Sequence, residues 1–382
     1  MSRTDSYNQI LGASLLLAML ASGGTACAKS TETVLHRFKG GNDGGTPTAG
    51  LILDKKGNLY GTTSGPGTVF RIAPDGKETV LHVFQGGHDG GSPQAGLLAD
   101  AKGNLYGTTA GGGKDGHGTV FKLAPDGTET VLYAFKGGND GTSPAAGVVE
   151  GNRGTLYGTT PYGGGSDLNC GTVFGLSADG TESILYAFQG DQDGCHPTGT
   201  LLRDAKGKLY GTTQEGGITN GMIFRLSPKG TKTVLYQFKG GNDGRYPQGL
   251  AMDGSGNLYA TTFYGGANGY GGVVKLYSSG TFIILHSFAN GVDGANPYAA
   301  PIVDSSGNVY GTTWMGGKAT CSCGTVFKIK PNGSEAVLHA FHNGRDGASP
   351  VAALIVDANG TLYGTTSAGG GHNSGTVFKI TQ

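Results

Sequence analysis

Seven aspartates in this 382-residue chain occupy equivalent places, each followed by glycine: Asp43, Asp89, Asp140, Asp193, Asp243, Asp293 and Asp346. A ring of carboxylates could hold a cation. The chain, however, lacks the Asp-x-Asp-x-Asp spacing of a calcium loop, and an aspartate in a turn accepts hydrogen bonds from its own loop amides. Recurrence in every copy therefore assigns these residues a structural role. The histidines fall into two sets. His36, His82, His286 and His339 take a strand position held elsewhere by Tyr133, Tyr186 and Tyr236, which marks them as packing residues. His88, His117, His196, His342 and His372 lie in loops, with no close two-histidine spacing among them. No metal and no cofactor are expected. Glu215 is an isolated loop carboxylate, and neither a Gly-x-Ser-x-Gly elbow nor a phosphate-cradling loop occurs, so no catalytic residue is assigned.

The residues suited to contact a ligand are aromatic. Tyr162, Phe263, Tyr264, Tyr270 and Trp314 share one class of loop, Tyr246 and Tyr298 flank nearby prolines, and Arg245 and Arg345 add charge. Rings with a few polar groups suit a glycan or peptide, through stacking and directed hydrogen bonds. The expected binding set is Tyr162, Arg245, Tyr246, Tyr264 and Trp314; the competing reading has these rings only covering glycine-rich loops. Beyond Cys27 the cysteines are Cys170, Cys195, Cys321 and Cys323, an even set that suits an oxidising compartment. Cys170 and Cys195 fall in neighbouring loops on one face and are expected to pair. The remaining Cys321-Ser322-Cys323 would close a small, strained, redox-labile ring, the alternative being a metal-binding or redox-active pair.

A repeat must position all of these groups. Leu-Tyr-Gly-Thr-Thr, with its tyrosine at Tyr60, Tyr106, Tyr157, Tyr210, Tyr259, Tyr310 and Tyr363, returns about every fifty residues; Ala260 once replaces the glycine and Val309 the leucine. In the second copy, strands are expected at 95–99 (A), 105–109 (B), 118–123 (C) and 129–135 (D). Asp-x-x-Gly-Asn and Pro-Asp-Gly turns, which tolerate positive φ, join A to B and C to D. Pro144, lacking an N–H, leads into the next strand A. Four antiparallel strands per repeat, seven times over, predict an all-β fold, a seven-bladed β-propeller. The first strand, 33–38, is of type D and the last, 375–380, of type C, so the N-terminal strand is expected to complete the last blade and remove a free sheet edge. The A–B and C–D turns share one face and hardly vary. The B–C and D–A loops share the other and differ widely, from Ser64-Gly65-Pro66 to residues 161–170. Variable loops on a rigid frame mark the face where a site would lie.

The ordered motifs Phe-x-Gly-Gly-x-Asp-Gly-x-x-Pro, Gly-Asn-Leu-Tyr-Gly-Thr-Thr and Gly-Thr-Val-Phe-Lys-Leu, spread over residues 31–380, resemble the GloVer tandem repeat of exported bacterial proteins. The resemblance implies an exported repeat protein without an established activity. Residues 1–28 read as a signal peptide, with Arg3, an apolar stretch at 10–21 and Ala26-Cys27-Ala28 as the cleavage site. That leaves 29–382 as a single propeller domain, secreted or periplasmic; the rival reading makes Cys27 a lipid anchor. No later segment is apolar enough to span a membrane. Lys+Arg and Asp+Glu both number 27, which argues against nucleic acid or acidic lipid as a partner. A monomer is expected. The leading functional expectation is a non-enzymatic scaffold binding a glycan, peptide or protein on the B–C/D–A face. The alternatives are a polysaccharide-acting lyase or hydrolase, by analogy of fold alone, and a purely structural cell-envelope protein.

Overall fold

Each residue of the Leu-Tyr-Gly-Thr-Thr motif has a separate structural task. The computed structural model describes residues 30–65, 67–165, 167–216, 220–318 and 320–382; the expected signal peptide and Cys27 lie outside them. In the first full repeat, Tyr60 donates its hydroxyl to the A–B turn carboxylate of Asp54 at 3.1 Å. Gly61 admits the ring of Phe70 from strand C, and a Cβ there would lie 2.6 Å from the ring's Cζ. Thr62 reaches out of its blade and donates to the carbonyl of Ala95 in the next, at 3.1 Å. Thr63 shares a hydrogen bond of 2.7 Å with Thr68 on strand C. The inter-blade bond recurs at Thr108, Thr261 and Thr312. One motif thus builds the blade and stitches it to its neighbour.

Seven separate antiparallel sheets result, one per blade. The second comprises Leu98–Ala99, Leu105–Thr109, Thr119–Leu123 and Glu129–Ala134 as strands A to D. Strand A is shorter than its sequence suggests. Its Ala95 carbonyl is spent on Thr62 of the preceding blade, and Gly96 passes so close that a Cβ would sit 3.2 Å from the Gly50 carbonyl oxygen. The innermost strands are therefore held by neighbouring blades as much as by their own ladder. Blades 4 and 5 depart from the rule. Blade 4 splits strand A into Cys195–Pro197 and Leu202–Arg203, both paired with Leu209–Glu215, and blade 5 extends it to Arg245–Met252.

The ring closes as the strand count requires. Thr31–Arg37 pairs antiparallel with Thr376–Thr381, from Thr31↔Thr381 to Arg37↔Thr376, and forms the outer strand of blade 7. Packing between blades is aromatic. At six junctions the phenylalanine after strand D meets the strand C phenylalanine of the next blade, edge-on in Phe38–Phe70 at 5.1 Å and Phe84–Phe121 at 5.0 Å. Burying each such ring contributes about 1.5–3 kcal/mol, and edge-to-face pairing adds about 0.5–1.5 kcal/mol. Blade 5 carries Val274 at the strand C position. There Phe282, from the start of strand D, supplies the missing ring, stacking on Tyr236 at 3.9 Å and meeting Phe238 at 6.0 Å.

Candidate functional site

The B–C and D–A loops meet in a repeated pairing on one face. The residue after each Asp-Gly of the D–A loop bridges the second residue of the adjoining B–C loop: Thr142 to Tyr162, Arg245 to Tyr264, Ala295 to Met315. The residue that follows, just ahead of the proline, is left-handed in all seven copies: Thr46, Ser92, Ser143, His196, Tyr246, Asn296 and Ser349, with φ of 53–58°. Left-handed backbone costs a side-chain-bearing residue about 1–2 kcal/mol, so neighbouring structure must impose it. The N–H of His196 is held by the Cys170 carbonyl at 3.0 Å, that of Tyr246 by Asn220 and that of Asn296 by Tyr270. Five of these positions carry Ser, Thr or Asn; His196 and Tyr246, in adjacent blades, carry rings. Sequence reasoning noted Tyr246 but passed over the position as a set. The signal was there: it is the residue directly before each D–A proline.

Four of the five expected binding residues come together across blades 5 and 6. The Arg245 guanidinium lies 5.1 Å from the Tyr264 ring centroid and 5.6 Å from that of Tyr246, within cation–π range. Tyr264 meets Phe263 edge-on at 4.5 Å, and Phe263 stacks on Trp314 at 6.0 Å and meets Tyr298 at 5.4 Å. Phe263 is the buried hub, 9% exposed, while Tyr264 and Tyr298 keep 37% and 48% of their surface in solvent. Asn296 locks the hub from below by donating its side-chain amide to the Phe263 carbonyl at 2.9 Å. A backbone so tied holds exposed rings at low entropic cost.

Tyr162 stands in a different group. Its ring meets His196 edge-on at 5.2 Å, and His196 Nδ1 lies 3.4 Å from the Glu215 carboxylate. Glu215 is thus not isolated: it ends strand Leu209–Glu215 opposite Cys195, which carries its carboxylate beside the imidazole. Sequence distance concealed the pair. The Cys170–Cys195 disulfide, with Cα atoms 4.3 Å apart, anchors the same loop next to His196. Cys321 and Cys323 form the second disulfide.

The seven D–A aspartates face the outer rim. Each accepts the amide four residues earlier, as Asp43 does from Lys39 at 2.6 Å and Asp140 from Lys136 at 2.6 Å. The strand D tyrosine or histidine turns toward the same carboxylate, as Tyr133 does to Asp140 at 2.7 Å and His339 to Asp346 at 3.2 Å. The strand histidines therefore carry polar contacts as well as packing edge-on against phenylalanine. Among the described residues, two groups gather three metal-competent side chains: His36, Asp43 and Glu78, and His339, His342 and Asp346. The two histidines of the second group are spaced His-x-x-His in the sequence. His339 lies on strand Glu335–Ala340 and His342 in the loop that follows it.

The sequence profile described as a Gloeobacter/Verrucomicrobia repeat matches residues 24–221 and again residues 197–382. The chain belongs to this family. No curated protein matches the sequence. Among solved structures, this Gloeobacter/Verrucomicrobia repeat protein is similar to virginiamycin B lyase from Staphylococcus aureus, seen with quinupristin in a catalytically inactive variant. The TM-score is 0.66 at 15% identity, over 93% of this chain and 99% of that one. It is also similar to the extracellular domain of BT4673 from B. thetaiotaomicron, at TM-score 0.60 and 13% identity over 92% of this chain and 41% of that one. Identities this low establish a shared propeller fold and nothing of chemistry. Among the described residues, no helix is long and apolar enough to cross a membrane.

Proposed function

We propose that the protein is an exported binding scaffold whose B–C/D–A face holds an extended glycan or peptide against the aromatic group of blades 5 and 6. The observation that carries this reading is the continuous run Arg245, Tyr246, Tyr264, Phe263, Tyr298 and Trp314, with solvent-facing rings fixed on a buried hub. Fixed aromatic surface gives contact area without ordering cost, and one guanidinium supplies direction. The two disulfides and the likeness to an extracellular domain support export. The neutral charge balance supports an uncharged or weakly charged ligand.

A second reading has a specific observation in its favour. The His196–Glu215 pair beside Tyr162 places a carboxylate 3.4 Å from an imidazole with a phenol on the same face, the elements of general acid–base chemistry. It would suit a lyase or hydrolase acting on polysaccharide. A glycan and peptide array with the purified protein tests both readings. Trp314→Ala and Tyr264→Ala are expected to abolish the leading ligand's signal, while His196→Ala leaves it intact. Binding unaffected by the two aromatic substitutions would remove the proposed site. Turnover of a bound glycan that is lost in His196→Ala would favour the enzyme.

A further inference from the structure

The rim junctions between blades share one construction, and their exceptions are informative. At each, a D–A aspartate and the strand D histidine or tyrosine of one blade face the first residue of strand D in the next. At the junction of blades 3 and 4 that residue is Lys232, whose ammonium bonds Asp193 and lies 5.1 Å from the Tyr186 ring centroid. At the junction of blades 4 and 5 it is Phe282, stacked flat on Tyr236. Both arrangements are satisfied internally, one by an organic cation in the pocket and one by a ring.

The other five junctions carry glutamate at this place: Glu32, Glu78, Glu129, Glu182 and Glu335. What sets the junction of blades 7 and 1 apart is distance, because there Glu78 comes close enough to ligate together with both His36 and Asp43. His36 Nε2 lies 3.6 Å from Asp43 Oδ2 and 3.4 Å from Glu78 Oε2, with the three side chains 14%, 22% and 10% exposed. Glu78 Oε1 and His36 Nε2 are both buried without a hydrogen-bond partner. Burial and the neighbouring Asp43 push the Glu78 carboxyl up to about 8. The charge of exposed Lys39 opposes this shift without cancelling it. Separations of 3.4 and 3.6 Å are long for hydrogen bonds. They do match the edges of a metal tetrahedron, because ligand bonds of about 2.0–2.1 Å place neighbouring ligand atoms about 3.3 Å apart.

We propose that His36, Asp43 and Glu78 bind a divalent cation of the zinc class, with water completing the shell. One imidazole and two carboxylates form a donor set that such an ion accepts, and the ion would give the unpartnered His36 Nε2 a partner and relieve the repulsion between the carboxylates. His36 lies on the ring-closing strand Thr31–Arg37, whereas Glu78 begins strand Glu78–Val83 of blade 1. The ion therefore pins the closing strand to the neighbouring blade. The other metal-competent group, His339, His342 and Asp346, holds both nitrogens at 3.2 and 2.9 Å from a single Asp346 oxygen, which are ordinary hydrogen-bond lengths that leave no gap for an ion.

The test is calorimetric titration of the EDTA-treated full chain with zinc chloride, paired with thermal melts and with the visible spectrum of the cobalt(II) form. One ion per chain, a raised Tm and a cobalt band of tetrahedral type are expected. His36→Gln and Glu78→Gln should each weaken zinc affinity at least tenfold and remove the Tm rise, while His342→Gln should leave both unchanged. Glu78→Gln removes a repelling carboxylate and keeps its shape, so it folds and remains an interpretable control. Absence of zinc binding by the native chain at 100 µM, a standard excess over a built site, would overturn the proposal. So would binding lost in His342→Gln but retained in Glu78→Gln.

Discussion

Blade 5 contains a compensated substitution that can be moved to another blade as a test. Elsewhere a motif glycine faces a strand C phenylalanine, but blade 5 pairs Ala260 with Val274. In blade 2 the native pair is Gly107 and Phe121. A Cβ on Gly107 would lie 2.6 and 2.8 Å from ring atoms of Phe121 and 3.0 Å from Leu97 Cδ2, against the usual contact of at least 3.4 Å. Shifting a fully buried ring by that amount costs about 1–3 kcal/mol, as overpacking does. Phe121→Val alone leaves a void and removes the edge-on contact with Phe84 at 5.0 Å, costing about 2–4 kcal/mol. In the double variant the added methyl enters the space that the ring has vacated. The two effects should therefore combine to about 1–2 kcal/mol less than their sum. Urea unfolding of the native chain, Gly107→Ala, Phe121→Val and the double variant measures this coupling directly. Additivity within about 0.5 kcal/mol, or a neutral Gly107→Ala, would refute the argument. Adding Glu129→Phe, the counterpart of Phe282, should recover more of the loss.

Two further outcomes follow from the rim and the disulfides. Glu182 is held up to about 7, by burial and then by the neighbouring Asp140 carboxylate, against 4.5 in the unfolded chain. The stability contributed by its bound proton is complete below pH 4.5 and lost as pH rises through 7. Glu182→Gln should thus match the native chain at pH 4 and exceed it at pH 8, by about 1 kcal/mol after screening at this half-exposed site. Parallel stability–pH profiles for the two proteins would contradict this. The Cys170–Cys195 link closes a span of 25 residues, and its loss should cost about 3.5 kcal/mol by loop entropy. A Cys170→Ser/Cys195→Ser variant should melt lower than the native chain, and a non-reducing peptide map of the native chain should show the linked fragment; two free thiols there would refute the pairing.

The fold was legible because a repeat states its own boundaries. Turn residues such as Asp100 to Asn104 and the alternation in Thr119–Leu123 are local signals, and local backbone preference decides them. The cysteine pairing was legible for the related reason that two loops on one face leave little choice. What escaped was contact between residues of different repeats. His196 and Glu215 are distant in sequence and meet only when strand Leu209–Glu215 lies beside the D–A loop. Tyr162 looked like a companion of Trp314 by type, but it faces His196. The His339–His342–Asp346 group is present in the sequence as spacing, but His339 lies on a strand and His342 and Asp346 in the loop after it, and only the fold turns all three together.

By itself the sequence determined the number of blades, the strand that closes the ring, the Cys170–Cys195 disulfide and the face that varies. Each of these depends on short-range chemistry repeated in register: turn glycines, alternating apolar residues and paired thiols. Only the tertiary structure decided which rings touch, that Thr62 bonds the next blade rather than its own, and that Glu78 arrives beside His36 and Asp43. Those contacts depend on the angle between neighbouring blades. That angle is set by packing such as Phe38 on Phe70, and no single repeat encodes it.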